Sequence, residues 1–316
     1  MACDWVKVRA PGSIMLFGEH AVLAAEPAMV TAIAQYLTVT VKTRQDNLID
    51  IRSNIFPAHQ TTIKELAIIN PYTFVLACLM QYKERLVQGL SIHIDSAIDP
   101  TVGLGSSAAT TVAMIMALNQ LFGVTDPVWP QACNVIRQIQ GSGSGMDALA
   151  SLHGGTLYYN PKTQQLSTLT ERSDLHLLYC GYKTPTAEVL QHVRTTFENA
   201  PEALQSIYHA MGKTVQQAFH AWQQNDTASL AQCMRDHQSF QKALQVSDEH
   251  SEYLCHWLRE RIGVEAVKIS GAGLGDCLLA LGGNWQSLSK SELQALHSNA
   301  SYIPLTVSQT GVTLVE

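Results

Sequence analysis

Gly103-Leu104-Gly105-Ser106-Ser107-Ala108-Ala109-Thr110 opens an apolar run that keeps helical spacing to Leu121 and stops at Gly123. Glycine lets a backbone approach a ligand closely and adopt positive φ. Small residues at a helix start leave N–H groups unpaired and reachable, and the helix dipole adds partial positive charge. The segment therefore fits an anion, phosphate in particular. A hydroxyl from Ser106 or Ser107 could also ligate Mg²⁺ carried by a nucleotide. The segment equally fits a flexible loop closed by a serine N-cap.

Working outward, three more segments have comparable chemistry. Gly141-Ser142-Gly143-Ser144-Gly145 is followed by Met146-Asp147. An acid after such a loop can take or orient the proton of a substrate hydroxyl. It can also be a first-turn Asp stabilising the helix Asp147–Leu152. Upstream, Pro11-Gly12-Ser13 leads through a strand into Gly18-Glu19-His20, an acid and an imidazole at a strand end. Downstream, Lys268-Ile269-Ser270 runs into Gly271-Ala272-Gly273-Leu274-Gly275, which is either a tight hairpin or a backbone surface for phosphate. Gly212-Lys213-Thr214 resembles the end of a P-loop, but Ile207 stands where the first glycine belongs and the segment sits mid-helix. Gly103-x-Gly105-x-x-Ala108 and Gly143-x-Gly145-x-x-Ala148 match a loose dinucleotide fingerprint without its βαβ setting.

The surrounding pattern runs from strands to helices without strict alternation, which indicates an α+β fold. Val6–Arg9 and Ser13–Phe17 read as strands flanking a Pro11-Gly12 turn, and Leu37–Lys42 and Leu90–Asp95 as further strands. Pro71–Val87, Pro127–Gln140 and most of Thr186–Arg261 read as helical. Strands Ala266–Ser270 and Cys277–Leu281 flank the last glycine loop, and a short helix and two strands close the chain. The polar stretch from Asn160 suggests two domains, 1–170 binding nucleotide and 171–316 following it.

Composition narrows the function classes. The 316 residues are 46% apolar and 15% charged, with net charge −6. That supports a sizeable core and argues against broad binding to nucleic acid or anionic lipid. No apolar run approaches membrane-spanning length. The seven scattered cysteines contain no C-x-x-C pair, and the first residues have no apolar leader, which suggests a cytoplasmic protein with reduced thiols.

The order of the four segments resembles the galactokinase–homoserine kinase–mevalonate kinase–phosphomevalonate kinase superfamily. The resemblance runs from Arg9 to about Gly282, and Phe17-Gly18-Glu19-His20-Ala21-Val22 is most similar to its mevalonate kinase branch. It implies a two-domain α+β fold with the site in a cleft. It implies ATP held by Gly103, Leu104, Gly105, Ser106, Ser107 and Ala108, with Ser107 at Mg²⁺. Asp147 would be the catalytic carboxylate. Glu19, His20, Ser144, Gly145 and Thr186 would lie at the substrate, and Gly271, Ala272 and Gly273 would support the phosphate loop. The expected partner is a small alcohol, mevalonate first; a homodimer stays open.

Two positions depart from the pattern. Ser13 stands where mevalonate kinases usually have a lysine, and Ile136 stands where they usually have a magnesium-binding glutamate. Each missing charge is worth a few kcal/mol at phosphoryl transfer, on the order of 10²–10³ in rate. Lys183, in Gly181-Tyr182-Lys183-Thr184-Pro185-Thr186, is the candidate compensating cation; otherwise it is a solvated lysine before a helix. The departures keep two alternatives open. One is an acceptor such as phosphomevalonate, a sugar or a hydroxy acid. The other is a nucleotide- or metabolite-binding protein with weakened catalysis.

Overall fold

Alternation builds the first sheet. In β1 (Trp5–Phe17), Val6, Val8 and Ala10 are buried while Trp5 and Arg9 face out. In β2 (Ala28–Thr43), Val39 and Val41 point inward, alternating with Thr38, Thr40 and Lys42. The structure, a computed structural model, describes residues 4–315; Cys3 lies outside them. β1 and β2 pair antiparallel along their length. On β2's other side, its second half pairs with β5 (Leu90–Ser96) and its first half with β6 (Thr156–Asn160). β3 (Leu48–Ser53) runs parallel to β5, with β4 (His59–Thr62) beyond it, and β7 (Gln165–Leu169) extends from β6.

The expected Pro11-Gly12 turn is absent. β1 is continuous, with a bulge between Pro11 and Gly12. A proline has no N–H to give a ladder and suits a bulge. The glycine serves a close approach: a Cβ on Gly12 would lie 2.6 Å from the Leu104 carbonyl. Ser13 N–H donates to that carbonyl at 3.1 Å, which ties β1 to the phosphate-type loop.

α2 (Ser106–Phe122) is the central helix of this half. Ala109, Val112, Met114, Ile115 and Leu118 are fully buried, as expected for a helix apolar on most sides. It packs on β1 and β2 beside α1 (Thr73–Gln81), α3 (Val128–Gln140) and α4 (Met146–His153). The apolar Pro71–Val87 stretch forms α1 and then one 3₁₀ turn at Lys83–Arg85.

The second sheet has the order β11 (Ser301–Ile303), β8 (Leu175–Lys183), β10 (Gly275–Leu281), β9 (Ala266–Ser270), all antiparallel. Around it lie α5 (Thr186–Thr196), α6 (Pro201–Gln223), α7 (Thr227–Ala243), α8 (Glu249–Ile262) and α9 (Lys290–Leu296). α7 meets β9 through polar side chains: Gln241 donates to the Ile269 carbonyl, and Ile269 N–H donates to Gln238. Gly212-Lys213-Thr214 is inside α6, where Gly212 gives room to Glu26. After β11 the chain returns to the first sheet, and β12 (Thr313–Leu314) pairs with β1.

Candidate active site

The glycine loops converge on one cavity of about 400 Å³, where α2, α4 and α5 begin and the β9–β10 turn passes. Asp226, Asp248 and Ser289 cap α7, α8 and α9 with their side chains, away from this cavity. α2 and α5 begin on the wall behind Gly105 and Pro185, and no side chain among the described residues caps either. Their leading N–H groups stay available to an anion. Gly105 has φ 69°, and a Cβ there would meet Ser13 Oγ at 2.1 Å. No larger residue fits that point. Ile55, Phe56, Tyr72 and Phe74 add an apolar, aromatic surface suited to a planar base.

Asp147 sits in the first turn of α4, half-buried on the wall. Ser13, fully buried on β1, donates to its Oδ1 at 2.8 Å. Desolvation raises the Asp147 carboxyl above its ordinary range. Ser13 and Lys183 pull it back, and the Glu19 charge pushes it up again. Lys183, at the end of β8, places Nζ 3.4 Å from Asp276 Oδ1. Asp276 is 3% exposed and has φ 65°, and burial raises its carboxyl.

Glu19 is held by side chains from the other half of the chain. Lys268, fully buried on β9, donates to Glu19 Oε1 at 2.6 Å and to the Ile269 carbonyl at 2.5 Å. Burial alone would push the Glu19 carboxyl up; the Lys268 ammonium and the hydrogen bond it donates outweigh it and hold the carboxyl below the usual range. Burial lowers His237 to about 3, so its ring is neutral, and Nε2 accepts the Gly18 N–H at 3.0 Å. His20 is also kept neutral by burial and donates Nε2–H to the Ala272 carbonyl at 2.7 Å. Ser270 completes the seam by donating to the Met15 carbonyl at 2.6 Å.

The cavity wall brings together Glu19, His20, the 103–108 loop, Ser144, Gly145, Asp147, Lys183, Thr186, Gly271 and Ala272. Gly273 stands behind the wall, where a Cβ would meet the Val246 carbonyl at 2.4 Å. Ile136 is on the wall and offers no oxygen. Ser13, read only as a missing lysine, is the hydrogen-bond partner of Asp147. The sequence alone assigns no role to Asp276, Lys268 or His237. The signal for Asp276 is an acid directly after the last glycine loop. For Lys268 and His237 the sequence has no local signal, because their partners are far away along the chain.

The N-terminal GHMP kinase domain model matches residues 72–155, and the C-terminal one matches 216–296. Together they span more than half of the chain. The chain belongs to the GHMP kinase family. Among curated relatives, it is similar to mevalonate kinase of Aeropyrum pernix, 28% identical over 286 residues, covering 87% of this chain and 88% of that one. It is also similar to mevalonate kinase of Methanothermobacter thermautotrophicus, 28% identical over 294 residues, covering 88% and 95%. Lactococcus lactis galactokinase, solved with galactose, superposes with a TM-score of 0.79 at 17% identity, covering 99% of this chain and 95% of that one. At that identity the likeness shows the fold alone. Like other members of its family, the chain is a phosphotransferase whose phosphate donor is ATP. No helix among the described residues is long and apolar enough to cross a membrane.

Proposed function

We propose that this protein is a mevalonate kinase, transferring the γ-phosphoryl group of ATP to the primary alcohol of mevalonate. The observation that carries the chemistry is Asp147, fixed by Ser13 on the wall that also holds the uncapped start of α2. The choice of acceptor is supported by the two mevalonate kinase relatives, which match nearly end to end.

In this reading Gly103–Ala108 receives the phosphates through backbone N–H groups and the dipole of α2. Asp147 accepts the alcohol proton as the alcohol oxygen bonds to the γ-phosphorus and the bond to the ADP oxygen breaks. Its raised affinity for protons suits that task. Ser13 occupies Oδ1 and leaves the other carboxylate oxygen for the acceptor. Lys183 supplies the positive charge that Ser13 does not. Glu19, His20, Ser144, Gly145 and Thr186 form the acceptor's side of the wall.

The donor set fits a hard divalent cation: Ser107 offers a hydroxyl oxygen, and the buried Asp276 Oδ1 has no hydrogen-bond partner among the described residues. Mg²⁺ bound with the nucleotide would neutralise charge on the phosphates. We place the enzyme in the cytoplasm, a reading supported by six buried, unpaired cysteines among the described residues.

The test is ADP release by purified protein with Mg²⁺ and a panel of alcohols: mevalonate, phosphomevalonate, galactose and homoserine. Release driven by mevalonate above the others supports the reading. Release driven by another member reassigns the acceptor, and nucleotide binding without any acceptor-dependent release removes the kinase activity.

A further inference from the structure

Three carboxylates line the cavity: Glu19, Asp147 and Asp276. Two of them accept a short side-chain hydrogen bond, Glu19 from Lys268 at 2.6 Å and Asp147 from Ser13 at 2.8 Å. Asp276 has an ion pair with Lys183 and keeps one oxygen without a hydrogen bond. Its Oδ1 is buried and accepts no hydrogen bond from any described residue, and Lys183 Nζ stands off at 3.4 Å, an ion pair without a formed hydrogen bond.

The backbone presents this carboxylate deliberately. Asp276 has φ 65°, an uncommon conformation for a residue with a side chain. A Cβ on Gly103 would lie 2.6 Å from Oδ1, and a Cβ on Gly271 would lie 2.7 Å from Oδ2. The first and last glycine loops therefore close on the same carboxylate from two sides, and neither could do so with a side chain. One of those loops is the one assigned above to the nucleotide phosphates.

Charge gives the reason for such a group. With Glu19 paired, the described residues of the wall set Asp147 and Asp276 against the single cation Lys183, since His20 is neutral. A polyphosphate adds more negative charge to a cavity already short of positive charge. A carboxylate oxygen left without a hydrogen bond there is a ligand for a cation that arrives with the phosphates. Mg²⁺ is commonly held by one or two carboxylates plus substrate phosphates, without a cage made only of protein. That matches the absence, among the described residues, of any group of three His, Cys, Asp or Glu able to hold a metal unaided.

We propose that Asp276, through Oδ1, is the carboxylate that holds the divalent cation of the bound nucleotide, leaving Lys183 to the phosphates. The proposal rests on the ATP-dependent reading above, and its test separates the two. Mn²⁺ is titrated into the full-length protein with and without the non-hydrolysable analogue AMP-PNP, and bound Mn²⁺ is followed by its paramagnetic signal. Wild-type protein takes up Mn²⁺ only with AMP-PNP. In Asp276→Asn, Mn²⁺ affinity of the AMP-PNP complex falls at least tenfold, while metal-free AMP-PNP binds as well as before or more tightly, because a negative charge beside the phosphates is gone. Unchanged Mn²⁺ affinity, or equal loss of metal-free and metal-loaded nucleotide, overturns the assignment. Failure of wild-type protein to bind AMP-PNP at all overturns the ATP reading itself. A second measurement needs no variant. Fe²⁺ with ascorbate and peroxide cuts backbone beside a bound metal. With AMP-PNP present, cuts are expected in both 103–107 and 271–276; cuts confined to 103–107 refute the role of Asp276.

Discussion

Ser13→Ala removes one oxygen from a fully buried position and leaves the backbone bond from residue 13 to the Leu104 carbonyl in place. The lost interaction is a 2.8 Å hydrogen bond to a carboxylate. Bonds of that kind contribute about 1.5–3 kcal/mol. If that energy is expressed in the transition state, turnover falls roughly 10- to 100-fold. A second effect runs alongside. Ser13 is the main influence holding the Asp147 carboxyl down against desolvation, so its removal raises that carboxyl further. The acid limb of the turnover profile then moves to higher pH, and part of the loss is regained in alkaline buffer. The KM for ATP stays within a few-fold, because the nucleotide loop keeps its tie to β1. The assay is steady-state ADP release across pH for both proteins. Turnover within twofold of wild type, with an unmoved acid limb, would refute the view that Ser13 positions and tunes Asp147.

Four further outcomes are expected. Wild-type turnover should lose activity on the acid side above the ordinary aspartate range, because burial raises Asp147 and only its ionised form accepts a proton; a limb at the usual aspartate position would contradict this. Lys268→Met leaves Glu19 buried without its cation and should cost about 3–5 kcal/mol in denaturant unfolding, most of it recovered in Lys268→Met/Glu19→Gln. Because Glu19 is depressed in the folded state, its contribution is present above the unfolded pKa and lost as pH falls through the folded one, so the wild-type and Lys268→Met stabilities should converge in acid. Gly105→Ala places a methyl within 2.1 Å of Ser13 Oγ at φ 69°, and should weaken nucleotide binding at least tenfold by calorimetry.

What was legible in the sequence was punctuation. Gly105 and Gly145 mark helix starts because a left-handed cap needs glycine, and β9 ends at Ser270 because Gly271 takes up positive φ next to it. Pro11-Gly12 misled because the same pair serves a turn or a bulge; the deciding contact, with Leu104, is made by a distant loop. β3 and β4 are hard to read as strands, since the alternation of one is short, only Ile49 and Ile51 against Asp50 and Arg52, and the polar His59–Thr62 run hides the other; both are held by their neighbours in the sheet. The seam of Glu19, Lys268 and His237 was invisible for a related reason. Each residue alone is an ordinary charged or polar side chain, and only the packing of α7 and β9 against the end of β1 makes them partners.

On the proposed mechanism, one cavity holds both the nucleotide's phosphates and the carboxylate that meets the acceptor. The most direct measurement follows transfer of the labelled γ-phosphoryl group from ATP to mevalonate by wild-type protein and Asp147→Asn side by side, with ATP affinity taken by calorimetry on the same samples. The prediction is labelled phosphomevalonate from wild type, a loss of at least ~10³ in rate for the variant, and ATP affinities within a few-fold of each other. Near-normal transfer by Asp147→Asn, or loss of ATP binding in step with loss of transfer, would contradict it.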